Sequence, residues 1–514
     1  MSTSTTGFVG ETERGTTRPT LVTSWAGYQR VFGGYIDQAP FTTQNFYLSY
    51  AVRGFFDNGG QRLYVARVMG PGALTAAGEL AGANGATTIQ ASGPGAWGNR
   101  LRIAVTPASA ALSLPAGSTN PAAQWFRIKV LYYRDPVPNP LIDPTDAAQL
   151  ANPARRDPDA FEDFDNLSHE SSRPNYARTV VNGASNLITI AACPSPPNLV
   201  AFQEGALTGT AGTDVQANVQ AFIGDNADPE LRTGLEGLLT IRDISLMAVP
   251  DEFVDANLTS ELLDRCERAK DRFAILNETT DTVNFQAIAQ HRDSTYGALY
   301  YPRIRVVAPH TPEGYQLVPP AGHMAGIYAR TDIERGVHKA PANEVVRGIV
   351  SRDLNGGRKP LSHTLNKREH DILNPRGVNV LRDFRSDGRD IRVWGARTMS
   401  SDSMWKYVNV RRLFIFLEQS IDRGTQWAVF EPNSDTTWIS IRTSITNFLR
   451  TVWRNGALMG TTQDEAFFVK CDRTTMTQDD FDNGRLICLI GVSPVKPAEY
   501  VIFRISQKTM EAES

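Results

Sequence analysis

Histidine, serine and glycine residues, whose spacing could support catalysis or ligand binding, form no recognised catalytic motif in this sequence. His363 and His370 lie in HTLNKREH, which differs from the HExxH motif of zinc proteases and places the two rings on different faces of a helix. The sequence has no GxSxG nucleophile elbow and no GxxxxGK[ST] phosphate loop. We therefore expect a protein that is not an enzyme, with no catalytic residue, no metal site and no cofactor.

The cysteines are scattered along the chain without CxxC spacing, at Cys193, Cys266, Cys471 and Cys488. This spacing argues against a zinc site and against a disulfide framework. We expect reduced thiols that pack as small apolar residues.

A basic segment extends from Arg376 to Arg412. Its arginines are Arg376, Arg382, Arg385, Arg389, Arg392, Arg397, Arg411 and Arg412, and they are interleaved with Asp383, Asp387, Asp390 and Asp402. Three interpretations remain open: salt-bridged turns, a basic face for an acidic protein partner, or a nucleic-acid contact. Aromatic stacking residues are not interleaved in a recognised nucleic-acid module, so nucleic acid is the least favoured of the three.

A helix is predicted after Ser434 or Asp435, either of which could cap it. Its apolar residues recur at a 3.6-residue period and define one face: Trp438, Ile441, Ile445, Phe448, Leu449, Val452 and Trp453. The opposite face has Thr443, Asn447, Arg450 and Arg454, with Arg442 at its border and no carboxylate inside the helix. This uncompensated face is either solvated or a docking surface for an acidic partner.

The elements that position these residues alternate between strands and helices. Three elements are predicted before the helix that follows Ser434. A strand at Ile391 and Val393 is followed by a helix with apolar residues from Val410 to Ile421, which ends at Gly424. A second strand is predicted from Gln426 to Phe430. Further predicted strands and helices in the preceding part are Ile244–Val249, Leu262–Phe273, Phe273–Leu276, Val283–Arg292, Ala298–Val307, His323–Arg335 and Val345–Val350. Such alternation indicates an α/β (α+β) fold in which helices pack on a mixed sheet.

The stretch between Gly70 and Asn198 differs from this pattern. It is rich in Ala, Gly, Pro, Ser and Asn, and short strand-like runs at Thr88–Gln90, Leu101–Val105, Trp125–Tyr133 and Leu187–Ile190 lie between turn signals. We interpret it as an inserted β-rich domain.

The length and net charge of the chain indicate how many domains it has and which partners it attracts. A chain of 514 residues exceeds what one hydrophobic core usually organises, so two or more domains are expected. The formal net charge of -3 gives no whole-molecule attraction to nucleic acid or to anionic membranes. No run of 18 apolar residues and no signal-peptide pattern is present, which favours a cytoplasmic product without membrane insertion.

Several motifs closely resemble the contractile tail sheath family of phages, R-type bacteriocins and phage-like injection systems. They are GFVGETERG (7–15), AVRGFFDNGG (51–60), YVARV (64–68), PGAWGNRLRI (94–103), AGIYARTD (325–332), GVHKAPAN (336–343), VWGART (393–398), YVNVRRL (407–413), TQW (425–427), FEPN (430–433) and DNGRL (482–486). The resemblance covers residues 3–68, 94–103 and 319–507. It implies a structural subunit that polymerises around an inner tube and contracts to drive that tube through a target envelope. The alternative is a nucleic-acid-associated or capsid-associated phage protein that uses the Arg376–Arg412 segment.

The resemblance also implies a domain plan and partners. Residues 1–70 and 201–355 would form a core domain, 71–200 an inserted β-rich outer domain, and 356–514 a C-terminal domain for tube contact and inter-subunit strand linkage. The implied partners are further copies of the chain, an inner tube protein, and baseplate and terminal cap proteins. Assembly is expected in the bacterial cytoplasm, followed by incorporation into a phage tail or tail-like particle.

Two residue sets carry the implied contacts. Arg442, Asn447, Arg450 and Arg454 would face the inner tube. The terminal run AEYVIFRIS has apolar residues on both faces of a strand, which is either the last strand of its own sheet or a strand exchanged between subunits. The resemblance implies exchange of Val501, Ile502, Phe503, Arg504, Ile505, Ser506 and Gln507. Family members usually carry an extended arm before the segment that matches Thr3–Gly10. This sequence begins almost at that point, so the arm is either absent or encoded upstream of Met1.

Overall fold

A computed structural model describes residues 2–36, 46–115, 118, 120–225, 227–228, 231–282, 284–290, 292–350 and 359–499. Strands and helices alternate through most of these residues. The N-terminal elements are β1 (Thr6–Gly10), β2 (Thr20–Val22), α1 (Trp25–Phe32), α2 (Leu48–Asp57) and β3 (Leu63–Arg67).

The following part is rich in strands. It comprises β4 (Ala77–Leu80), β5 (Thr87–Ala91), β6 (Leu101–Pro107), α3 (Ser109–Leu112), β7 (Phe126–Tyr132), β8 (Ala160–Leu167), α4 (Ala177–Ala184) and β9 (Ile188–Ala192). These strands form two antiparallel three-stranded sheets, in the orders β4-β5-β9 and β6-β7-β8. Buried Phe126, Ile128 and Val130 alternate with partly exposed neighbours along β7, as a strand with one face on a core requires. The two sheets share one apolar core with α4.

The third part returns to mixed order. Its elements are α5 (Val219–Ile223), α6 (Gly234–Leu239), β10 (Leu246–Ala248), α7 (Asn257–Ala269), β11 (Phe273–Asn277), β12 (Gly297–Tyr301), β13 (Ile304–Val307), β14 (Tyr315–Val318), α8 (Ala321–Arg335), α9 (Lys367–Leu373), β15 (Val378–Asp383) and β16 (Ile391–Trp394). The last part is mainly helical, with α10 (Val408–Thr425), α11 (Asp435–Arg454), α12 (Gln463–Ala466), β17 (Phe467–Lys470), α13 (Gln478–Asp482) and β18 (Leu489–Val492).

One eight-stranded sheet joins the first and third parts in the order β16-β15-β12-β11-β10-β1-β3-β2. Neighbouring strands from β15 to β3 are parallel, and the two edge strands β16 and β2 are antiparallel. Every residue of β11 and β12 is buried, which is typical of parallel strands covered on both faces.

Helices cover both faces of this sheet. On one face, α1, α2 and α8 pack over Phe8, Val65 and Ile275. On the other face, α5, α6 and α7 pack over Val9 and Leu276. The predicted α/β (α+β) class with a mixed sheet is therefore confirmed.

Two glycines allow α2 and α8 to pack at very short range. A Cβ atom at Gly322 would lie 2.3 Å from the Cα of Ala51, and one at Gly326 would lie 2.4 Å from the carbonyl oxygen of Phe55. Both distances are shorter than any real Cβ contact, so neither position tolerates a side chain without a shift of one helix. The four-residue spacing of the glycines places them on the same face of α8.

Two predicted elements are wrong, and a third is only partly present. The helix predicted at Val283–Arg292 is reduced, in the described residues, to a short 3₁₀ turn at Phe285–Ala287. Arg376 donates to the carbonyl oxygens of Gln286 (2.8 Å) and Ile288 (3.4 Å), which a helix would have used for its own amides. The strand predicted at Gln426–Phe430 is also absent, because α10 continues past Gly424 to Thr425 and a 3₁₀ turn follows at Gln426–Ala428.

The strand predicted at Val345–Val350 is represented only by isolated bridges. Val345 pairs with Arg392, and Ile349 pairs with Val306. Between them Gly348 has a φ of +81°, a left-handed conformation that interrupts an extended strand.

Replacing Gly326 with alanine tests the close packing of α2 against α8. We expect Gly326→Ala to lower the free energy of unfolding by about 1–3 kcal/mol, because the new methyl group meets backbone atoms of Phe55. The matched control is Gly183→Ala in α4, where a Cβ meets nothing within 4 Å. The control should gain up to about 1 kcal/mol from helix propensity. Urea unfolding followed by circular dichroism measures both, and an unchanged or increased stability of Gly326→Ala would contradict the close contact.

Candidate functional site

Helix α11 has the apolar face that its sequence predicts. Trp438, Ile441, Ile445, Leu449 and Val452 are all buried. Four of them, all except Trp438, belong to one apolar cluster that also contains Leu413 and Leu417 of α10. The helix begins after Ser434, as expected. The burial of this stripe fixes which side of α11 faces solvent.

The solvent side of α11 is cationic. Arg442, Asn447 and Arg454 are exposed, and Arg450 is half-buried. Arg450 donates from Nε to Oε1 of Gln463 (2.9 Å) and from Nη1 to Oδ1 of Asn447 (3.2 Å). Within the described residues, no ion pair joins Arg442, Arg450 or Arg454 to a carboxylate.

The loop before α11 carries an exposed apolar tip that the sequence analysis missed. Trp427 is 48% exposed, Val429 is 62% exposed and the Phe430 side chain is fully exposed. Phe430 has a φ of +69°, a conformation that is rare for a bulky residue and costs energy. The apolar residues after Gln426 predict a strand, whereas Pro432 and Asn433, two turn signals shortly after Phe430, indicate a loop.

Most arginines of the Arg376–Arg412 segment contact groups of the same chain. Arg397 donates to both carboxylate oxygens of Glu499 (2.7 and 2.6 Å), and Arg392 donates to the carbonyl oxygen of Asn343 (2.6 Å). Comparable internal partners hold Arg376, Arg382, Arg385, Arg389, Arg411 and Arg412. This geometry supports the interpretation as internally paired groups, and the nucleic-acid alternative is not favoured.

The ion pair between Arg412 and Asp332 is the most deeply buried contact of this segment. The side chains are 3% and 2% exposed, and Arg412 donates to both carboxylate oxygens at 2.9 and 2.6 Å. The same guanidinium donates to the carbonyl oxygen of Thr3 (2.9 Å) and lies 4.9 Å from the centre of the Tyr328 ring. Arg412 thus joins α10 to α8 and to the residues before β1.

The two histidines of the HTLNKREH segment have structural partners. His370 hydrogen-bonds through Nε2 to the carbonyl oxygen of Trp394 (2.9 Å), and His363 hydrogen-bonds to the carbonyl oxygen of Asp281 (3.0 Å). Both rings are therefore held by backbone carbonyl groups. No group of three or more metal-ligating side chains is found in the part of the chain that the structure describes.

Carboxyl groups follow β1 and β10 at the edge where open α/β sheets usually bind ligands. Glu11 accepts a hydrogen bond from the amide of Ala217 (2.9 Å), and Asp251 accepts one from the amide of Tyr47 (2.7 Å). Burial raises the pKa of Glu11 to about 7 and that of Asp251 to about 8. These groups hold loops of the chain itself against the sheet edge.

The residues predicted for strand exchange lie outside the described part of the chain: Val501, Ile502, Phe503, Arg504, Ile505, Ser506 and Gln507. The structure therefore does not test that prediction. Among the described residues, no helix is both long and apolar enough to cross a membrane.

Comparison with known proteins identifies one family. The family model of the phage tail sheath protein central domain matches residues 213–399, and that of the phage tail sheath C-terminal domain matches residues 400–508. The tail sheath protein of Burkholderia phage BcepMu is 24% identical over 338 residues, which cover 62% of this chain and 67% of that protein.

Solved structures share the fold over nearly the whole chain. The helical sheath of the anti-feeding prophage in its contracted state has a TM-score of 0.56 at 24% identity, and the match covers 99% of this chain and 94% of that chain. A sheath tail protein from Listeria innocua has a TM-score of 0.57 at 12% identity, and the match covers 96% of each chain.

Breaking the buried ion pair tests its role. We expect Arg412→Met to lower the free energy of unfolding by about 3–5 kcal/mol, because Asp332 is left charged and buried without its partner. Arg485→Met is the control, since Arg485 and Asp479 form an exposed pair whose loss should cost at most about 1 kcal/mol. The double variant Arg412→Met/Asp332→Leu should recover much of the loss. Denaturant unfolding measures all three, and equal effects of the two single substitutions would contradict the assignment.

Proposed function

The chain belongs to the phage tail sheath protein family, and we propose that many copies of it polymerise around an inner tube and contract to drive that tube through a target envelope. The observation that carries this proposal is the match to both sheath domain models across residues 213–508. The chain is a structural sheath subunit of a contractile tail or contractile injection system.

Such a function requires interfaces rather than a reactive centre. A helical polymer forms when a heterologous contact does not close into a ring, so each subunit must present two different surfaces. Contraction would take its work from the difference in contact free energy between two packings of the same subunits. Hydrogen-bonded and apolar contacts between copies suffice for both steps.

The solvent side of α11 is the proposed tube contact. Arg442, Asn447, Arg450 and Arg454 lie on or beside one exposed face, and the long buried stripe on the opposite side holds that face in place. No acidic residue occurs between Thr436 and Arg454. The Asp472 carboxylate interacts electrostatically with Arg442, and an acidic patch on the tube would meet the positive charge of the rest of this face.

The β17-β18 sheet is the proposed acceptor for strand exchange. It contains two strands of four residues each, and such a small sheet is marginal by itself. Each strand has an outer edge whose backbone groups can pair with a further strand. A terminal strand containing residues 501–507 of a neighbouring copy would fit such an edge.

The predicted domain plan is retained as part of the proposal, with one adjustment. The division into 1–70, 71–200, 201–355 and 356–514 assigns β15 and β16 to the C-terminal domain. In the large sheet β15 pairs with β12 and β16 pairs with β15, which favours a boundary after Trp394. Baseplate and terminal cap proteins are the remaining proposed partners, and assembly in the bacterial cytoplasm is the proposed route into the particle.

Electron microscopy of the purified chain tests polymerisation. We expect hollow tubes or stacked rings of constant width at raised protein concentration, with and without the inner tube protein of the same particle. The physical reason is that a repeated heterologous contact fixes one helical geometry. Single particles at every concentration and salt level, even in the presence of preformed tubes, would contradict the proposal.

Charge reversal on α11 tests the tube contact. We expect Arg442→Glu/Arg454→Glu to weaken binding to preformed inner tubes at least about tenfold, which corresponds to ~1.4 kcal/mol. Co-sedimentation at two salt concentrations measures this binding. The matched control, Arg178→Glu/Arg368→Glu, makes the same change in net charge at exposed arginines of α4 and α9. Equal binding by the two double variants would contradict the assigned contact.

A further inference from the structure

Cys471 and Cys488 lie directly opposite each other at one end of the β17-β18 sheet. The last pair of this antiparallel ladder is Lys470 with Leu489, and each cysteine is the next residue outward from that pair. The same register therefore pairs Cys471 with Cys488.

The hydrogen-bond pattern determines the type of this pair. The amide of Ser493 donates to the carbonyl oxygen of Ala466 (2.9 Å), so these two residues form a hydrogen-bonded pair at the other end of the ladder. Hydrogen-bonded and non-hydrogen-bonded pairs alternate along an antiparallel ladder. Cys471 lies five residues beyond Ala466, which makes its pair with Cys488 a non-hydrogen-bonded one.

A non-hydrogen-bonded pair has the spacing that a disulfide bond requires. Its Cα atoms are about 4.5 Å apart and its side chains are the closer of the two pair types. Disulfide bonds form at Cα separations of about 4.4–6.8 Å. The backbone at Cys471 and Cys488 therefore needs no rearrangement to accept the bond.

Both thiols point to the same side of the sheet. Phe467 and Cys471 are buried and Val469 is half-buried, whereas Phe468 between them is exposed, so the odd-numbered residues of β17 face inward. Cys471 packs with Trp438, and Cys488 packs against the same small cluster. Burial, together with the neighbouring Cys471 thiol to which it is hydrogen-bonded, raises the pKa of Cys488 to about 12.

We propose that Cys471 and Cys488 form an oxidation site that closes into an intramolecular disulfide bond across the β17-β18 sheet. Both are free thiols in this structure. The oxidant is a low-molecular-weight disulfide. One cysteine thiolate attacks it and releases one small thiolate, and the second cysteine then displaces the other. Two protons and two electrons leave the protein, and the small disulfide is reduced to two thiols.

The bond would fix β17 against β18 and close the loop that contains α13. Among the described residues, Cys193 and Cys266 have no comparable partner. Cys193 accepts a hydrogen bond from Thr87, and Cys266 lies in α7 in the core of the large sheet. The proposal goes beyond the proposed function and does not depend on polymerisation.

Oxidation of the full-length folded chain tests this site. The protein is incubated with diamide, a diazene whose N=N bond takes up the two electrons and two protons. It is then denatured and alkylated with iodoacetamide, and its mass is measured by mass spectrometry. We expect two alkylated cysteines instead of four, with Cys471 and Cys488 recovered in one cross-linked peptide. Because the thiolate is the reactive form and the pKa of Cys488 is raised, the rate should increase roughly tenfold per pH unit between pH 7 and 9.

Two kinds of variant keep the test decisive. The control Cys193→Ser/Cys266→Ser should form the bond at the rate of the natural chain. Cys488→Ser and Cys471→Ala should each abolish it, and the half-buried position of Cys488 makes the first substitution the milder one. Four alkylated cysteines after oxidation of the natural chain, or a bond that persists in Cys488→Ser, would overturn the proposal.

Discussion

The ion pair between Arg412 and Asp332 is the contact on which the position of the C-terminal helices depends. Both charges are almost completely withdrawn from water, so each compensates the desolvation of the other. Because the guanidinium also donates to Thr3, one side chain ties α10 to α8 and to the start of β1. A hydrophobic contact at this place would stabilise the chain as well, but it would not define one direction for α10. The direction of α10 in turn orients α11 and its cationic face.

The two halves of the subunit differ in how extensively they are packed. In the large sheet, parallel strands are buried on both faces, and glycines bring α8 against α2 at backbone distance. Among the described residues, the C-terminal part has the two-stranded β17-β18 sheet beside α11. The large sheet with its helices is therefore the more extensively packed of the two.

The elements that the sequence predicted correctly are those with a regular local pattern of apolar residues. The 3.6-residue stripe from Trp438 to Val452 predicted both α11 and its buried face, and β10 and β11 were predicted close to their observed bounds. The single predicted element Ala298–Val307 is divided between β12 and β13. Contacts between distant residues left no such pattern: neither Asp332 as the partner of Arg412 nor the pairing of β1 with β10 can be read from spacing. The run from Gln426 to Phe430 shows the opposite error, since its apolar residues resemble a strand although no strand of the described residues pairs with them.

The position of β1 between β3 and β10 has a consequence for how the chain folds. Thr6 pairs with Leu246, so the centre of the large sheet cannot close until about half of the chain has been synthesised. The sheets β4-β5-β9 and β6-β7-β8 use residues much closer in sequence, and their loop-closure entropy is smaller. During synthesis the β-rich part can therefore be complete while β1 still presents an open edge. The open edge in that interval is the side of β1 that later pairs with β10, since β2 already covers the other edge of β3. The nascent chain is then most exposed to pairing with other chains.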